Sequence, residues 1–292
     1  MTGPAVDFVA GARDGLGECP LWDTADARLY WIDSLAPCIR ALEPASGRMQ
    51  QWDLPAPVGS IALAAPGHLL AALQDGLYEV DLTSGGVRPV AHLTLPPATR
   101  LNDGKADRDG RFVFGSMQVE DDAPLGALFR FGPDGGCEVL RDGIGVANAI
   151  CFSPDGRRCY FTDSRVGTIW CCDYPREGRP GTPRAWADVR GITGSAPDGA
   201  TVDAAGRVWT ALVRTGQLAC FAPDGTLAWL IDLPVPHPTC PAFGGDGLDV
   251  LFVTSISRSR RLHSSHPDAG RMVAITGLDA RGVPEARCRT TH

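Results

Sequence analysis

The chain of 292 residues contains ten cysteines but no Cys-x-x-Cys pair, and no long apolar run. Without paired Cys-x-x-Cys spacing, thiolate metal sites are disfavoured. Cys151, Cys159 and Cys220 sit in apolar surroundings where cysteine acts as a small buried hydrophobe, so reduced thiols in a reducing compartment are expected. The opening MTGPAVDFVAGARDG has neither a basic start nor a continuous apolar segment, which excludes a signal peptide or membrane span there and points to the cytoplasm. A net charge of -7 without a clustered Lys/Arg surface argues against a nucleic-acid partner. The one basic run, Arg258-Ser259-Arg260-Arg261, reads as a solvated loop. No Gly-x-Ser-x-Gly setting surrounds Ser60, Ser116, Ser164 or Ser195, and His237 stands between prolines, so a serine-based triad is excluded. GGDGLD at 244–249 lacks the lysine and the following helix of a phosphate-cradling loop.

What is abundant is punctuation: 35 glycines and 24 prolines, with short segments between them rich in Val, Ile, Phe, Trp and Tyr and no sustained helical period. Turns at Pro66-Gly67, Asp109-Gly110, Asp155-Gly156, Ala205-Gly206 and Asp246-Gly247 recur every 41 to 50 residues, and one near Asp26 makes a sixth unit. That spacing is the period of four-stranded propeller blades. Strands ending in Ile-Asp-Ser (32–34) and Thr-Asp-Ser (162–164) strengthen the repeat. Length alone leaves one or two domains open. The repeat predicts an all-β, six-bladed β-propeller spanning 1–292 as a single domain, with residues 5–10 completing a last blade near Gly270 to Cys288. The Ser-Pro-Asp-Gly turn at 153–156 and the Ala-Pro-Asp-Gly turn at 222–225 are expected as outer hairpins.

In a propeller, polar residues just before each innermost strand converge on the central channel. Glu18, Asn102, Asn148 and Asp198 occupy that place in four units. Two carboxylates with amide oxygens form a hard donor set suited to Ca²⁺, Mg²⁺, Mn²⁺ or a similar dication. Asp103 and Lys105 are expected to be structural, paired within or beside their blade.

The motifs LGECPLW, RLNDGKADRDGRFVFGSM, NAICFSPDG, PDGATVDAAGRVWTA and CPAFGGDGLDVLFVTS, in that order along nearly the whole chain, resemble the SMP-30/gluconolactonase/regucalcin family of six-bladed propellers. The resemblance implies a sugar-lactone hydrolase with one central divalent metal ion, of which Ca²⁺, Zn²⁺, Mn²⁺, Mg²⁺ and Fe²⁺ are the candidates. It implies metal ligation by Glu18, Asn148 and Asp198, and substrate contacts by Arg100, Asn102 and Glu120. Asp198 would then also be the catalytic base, with Arg100 and Asn102 donating to substrate oxygens and Glu120 accepting from a hydroxyl. Ala149 departs from the family, which usually has glycine after the ligand asparagine; if the site needs φ > 0, alanine costs about 1 kcal/mol. Rival functions are a calcium-binding protein of the regucalcin kind, a propeller hydrolase acting on phosphotriesters or acyl-chain lactones, and a protein-binding scaffold. The expected partner is a small sugar lactone, and the expected state a monomer.

Overall fold

The computed structural model describes residues 3–9, 11, 13–120 and 123–289. Six antiparallel four-stranded sheets succeed one another along the chain and form the six blades of a β-propeller. The innermost strands are Gly17–Asp23, Val58–Leu63, Thr99–Ala106, Ala147–Phe152, Pro197–Val202 and Pro238–Gly244, numbered here as blades one to six. All six recurring turns join an innermost strand to its neighbour, so the sequence period marks the same corner in every blade. The 153–156 turn is one of these corners and joins Ala147–Phe152 to Arg158–Asp163, not the outer pair expected; only 222–225 is an outer hairpin. A Pro-Asp-Gly signal specifies a chain reversal without specifying which two strands it joins.

Blade six is completed by Ala5–Phe8, which pairs antiparallel with Val273–Thr276. The closure expected from residues 5–10 is therefore present, and Ala10 lies outside the described residues. Apolar side chains fill the wedges between blades. Tyr30, Ile32, Ile61, Leu63 and Leu69 share one such cluster. Burying a side chain of this size contributes about 1.5–3 kcal/mol. Two corners carry the same Asp-x-x-Gly-Arg device. The Asp107 carboxylate accepts from the Arg111 backbone and side chain and from Tyr174, and Asp203 does the same with Arg207 and Trp209.

The segment 282–289 crosses the corner face, opposite the end where Glu18 lies. Arg287 donates to both carboxylate oxygens of Asp23, Cys288 N–H to the Leu63 carbonyl, and Arg289 N–H to the Gly110 carbonyl. From this strap Glu285 reaches Lys105, the only lysine in the chain, at 2.9 Å. Burial opposes the Lys105 charge, but the Glu285 carboxylate outweighs it and holds the ammonium above its ordinary value. Truncating Glu285 to alanine strands a buried cation. It is expected to cost about 3–5 kcal/mol, with Lys105→Met in the same chain recovering most of the loss. Denaturant unfolding of the two variants checks this, and a Glu285→Ala protein as stable as wild type would contradict it.

Candidate functional site

Glu18, Asn102, Asn148 and Asp198 lie inside the innermost strands of blades one, three, four and five, not just ahead of them. The pairing with the second strand slips at these points: between Glu18 and Leu21, Leu101 and Gly104, Asn148 and Cys151, and Pro197 and Ala200. An extra residue in one strand re-aims the side chains beside it. The slips explain why residues within strands face the axis. Ala149 follows Asn148 at φ 52° and Cys19 follows Glu18 at φ 48°. The backbone after the asparagine is thus left-handed, and alanine carries the strain that glycine would not. Beside Asp198 the crowding is steric: a Cβ on Gly199 would sit 2.4 Å from Cys240 Sγ.

The two Asp-Ser repeats launch two of these strands in the same way. Asp33 accepts from the N–H groups of Gly15 and Leu16 at 2.8 and 3.1 Å, and Asp163 from those of Gly145 and Val146 at the same distances. Ser34 and Ser164 then donate to Val58 and Pro197 carbonyls in the following blades. Glu18 and Asn148, two residues beyond Leu16 and Val146, inherit this fixed approach.

Asn102 Nδ2 donates to the Ala147 carbonyl (3.0 Å) and to Asn148 Oδ1 (2.9 Å). Asn148 Nδ2 donates to Ser164 Oγ (2.9 Å) and to Asp198 Oδ1 (2.7 Å). The amide hydrogens of Asn102 are therefore committed within the protein, so the donor role expected of them is already taken by Ala147 and Asn148. Arg100 Nη1 donates to the Leu101 carbonyl at 2.8 Å. Asp103, expected to be structural, accepts from Gly104 N–H and, across to blade four, from Ile150 N–H. His237 is a loop fastener, its Nδ1 2.8 Å from the Val213 carbonyl.

Charge here is out of balance. Burial, then the charges of Asp198 and Asp103, push Glu18 well above the usual carboxylate range, only partly offset by Arg100. Burial and Asp103 push Asp198 up to about 8. Asp103 itself is raised to about 6 by burial, against its two backbone donors and Lys105. Burial also lowers Arg100, opposed by Glu18. Among the described residues no three His, Cys, Asp or Glu side chains are placed together to hold a metal, so the convergent donor set is mixed: two carboxylates with an amide. Buried carboxyls that resist ionising, with hard oxygens around one axis, fit a dication that would restore the missing positive charge.

In the cation-free protein the folded state keeps protons on Asp198 up to about 8 that the unfolded chain loses near about 3.9. Their stabilising contribution is full below the unfolded value and is lost as pH rises through the folded one. Thermal unfolding with chelator present should show Tm falling between about pH 4 and about pH 8, and added dication should raise Tm more at the alkaline end. A Tm independent of pH and of dication would contradict this.

These residues floor a cavity of about 350 Å³, at the small end of ligand pockets. Glu18, Arg100, Asn102, Asn148 and Asp198 all line it. Glu120 does not; it is exposed, one residue beyond the lining residue Val119, with its N–H on Gln118 Oε1. The wall also has apolar members, Met117, Val146 and Ile256 among them. The segment after Ile256 is folded back over the channel by bonds from Ser257 and Arg258 N–H to the Gly15 carbonyl. It brings Ser259, Arg260 and Arg261 to the cavity wall, while Arg258, Arg260 and Arg261 all remain exposed, so the run is solvated as expected and also borders the cavity. Arg165 and Arg214 complete that rim, and no motif in the sequence singled them out.

Residues 16–257 match the SMP-30/gluconolactonase/LRE-like region family. The chain belongs to this family. A 6-deoxy-6-sulfogluconolactonase of Pseudomonas putida is 33% identical over 246 residues, 84% of each chain. An L-arabinolactonase of Azospirillum brasilense is 33% identical over 252 residues, 85% of this chain and 83% of its own length. Among solved structures, a calcium-binding protein, regucalcin, of Agrobacterium tumefaciens superposes with a TM-score of 0.91 at 29% identity, covering 97% of each chain. Like the thiols expected from the sequence, all ten cysteines of this family member are free, and nine of them are buried. No helix among the described residues is long and apolar enough to cross a membrane.

Proposed function

We propose that the chain hydrolyses a sugar lactone to its sugar acid, with one divalent metal ion held by Glu18, Asn148 and Asp198. The observation that carries this is the set of reluctantly ionised carboxyls, the buried Asp198 and the half-buried Glu18, with amide oxygens on the floor of a sugar-sized cavity. The lactonase names of two relatives at 33% identity support the substrate class, and the calcium-binding name of a structural relative supports a dication. The donor set suits Ca²⁺ or Mg²⁺, and accepts Mn²⁺, Zn²⁺ or Fe²⁺.

A lactone carbonyl must accept water through an oxyanionic tetrahedral state. When bound, the dication supplies positive charge for that oxyanion and acidifies the attacking water. Asp198 takes the water's proton; its Oδ1 is fixed by Asn148 Nδ2, which leaves the other oxygen for the proton. Arg100 donates to the ring or hydroxyl oxygens, and the Asn102 oxygen accepts from a substrate hydroxyl. Glu120 joins only if the substrate extends beyond the cavity lining. The free, buried thiols support a cytoplasmic protein.

A panel of aldonolactones, a lipophilic lactone and a phosphotriester, assayed with and without chelator, tests the proposal. Hydrolysis confined to the aldonolactones and lost with chelator is expected. Turnover of the phosphotriester alone, or dication binding with no turnover, would replace it with a rival. Within the same assay, Arg100→Ala should raise KM about 10-fold or more with dication affinity retained. Equal loss of dication and substrate binding would make Arg100 structural.

A further inference from the structure

The cavity has an acidic floor and a basic rim. Glu18 and Asp198 are its only acidic lining residues among those described, while five arginines, Arg100, Arg165, Arg214, Arg260 and Arg261, line the same space. This is a large share of positive charge to gather in a chain of net charge -7. The rim is also built. Arg260 Nη1 donates to the Val119 carbonyl, tying the folded-back segment of blade six to the far side of the cavity. Arg165 Nη2 donates to the Gln118 carbonyl from blade four. The Arg214 backbone is fixed by its N–H bond to the buried Ser195 Oγ, yet its guanidinium makes no hydrogen bond or ion pair with a described residue. An exposed guanidinium on an anchored backbone at a cavity mouth, with another pinned nearby, is the arrangement that grips an oxyanion in a bidentate manner.

We infer that the substrate is a sugar lactone carrying a second, anionic group at the end remote from the lactone carbonyl, and that Arg214, with Arg260, receives that group. The inference rests on the lactonase function proposed above. A carboxylate, a sulfonate or a phosphate presents the same oxyanion chemistry to these guanidinium groups. The neutral ring faces the acidic floor without adding negative charge to it, and the anionic substituent meets the opposite charge at the rim.

The test compares kcat/KM for a neutral aldonolactone with lactones of the same ring bearing an exocyclic carboxylate, sulfonate or phosphate, using the full chain loaded with dication. The charged lactones are expected to be preferred about 10- to 100-fold, the best of the three naming the group, with the preference shrinking as salt rises. Arg214→Gln should cut that ratio about 10-fold and Arg214→Lys should keep part of it, with the neutral lactone as the internal reference for a folded, active protein. Neutral and charged lactones hydrolysed equally well, or a ratio unmoved by both Arg214→Gln and the Arg214→Gln/Arg260→Gln double variant, would overturn the inference and leave the lactonase proposal standing. Failure to hydrolyse any of the four would overturn both.

Discussion

Asp198→Asn is expected to lower kcat about 10²-fold or more while retaining a substantial share of dication binding. The substitution keeps an oxygen that can still ligate and removes the group that takes the proton. Asn148 Nδ2 now donates to Asp198 Oδ1, and the introduced amide can offer its oxygen to the same donor, so the local network has a way to survive. Aldonolactones open spontaneously in water, so the rate is read against an enzyme-free control at the same pH. Dication affinity is measured by calorimetry on the same preparation. Near-wild-type turnover with dication bound would move the proton acceptor elsewhere, with Glu18 the next candidate.

Glu18→Gln is expected to act earlier, on the dication itself. Glu18 belongs to a floor where several carboxyls face one guanidinium, and removing its charge withdraws part of what would hold a dication. Divalent affinity and turnover should both fall by about two orders of magnitude or more, and excess dication should restore some of the rate. The variant should also unfold at higher temperature than wild type in chelator, because a half-buried carboxyl that resists ionising has been replaced by a neutral amide. That opposite movement separates loss of a ligand from loss of the fold. A wild type whose hydrolysis ignores chelator would refute the dication requirement outright.

The architecture was legible because it repeats. Turn pairs such as Asp109-Gly110 and Ala205-Gly206 mark one corner of each blade, and six copies of a weak signal add to a strong one. The same repetition brought Glu18, Asn102, Asn148 and Asp198 into one cavity, since equivalent positions in a radial fold share an axis. What escaped were pairings between segments with no repeat relation. Lys105 meets a partner 180 residues away because the strap crosses the corner face. Arg260 reaches the mouth because the chain after Ile256 folds back over the channel, which a charge pattern read locally does not reveal. The direction of the Asn102 amide was likewise invisible, being set by the Ala147 carbonyl of the next blade.

The strand Ala5–Phe8 is made first and finds its partner last, since Val273–Thr276 lies at the other end of the ring. At about 5–20 residues per second, a ribosome needs roughly 15–55 s to reach that partner, whereas a hairpin forms in microseconds. Five blades therefore have time to assemble while the sixth still lacks its outer strand and an unpaired edge stands open. On a crowded polysome, the nearest free copy of Ala5–Phe8 can belong to a neighbouring nascent chain. Exchange of that strand between two rings would satisfy every pairing seen in one. Any oligomers formed during rapid expression should then be strand-exchanged dimers, converting to single rings after dilution through unfolding rather than through simple dissociation.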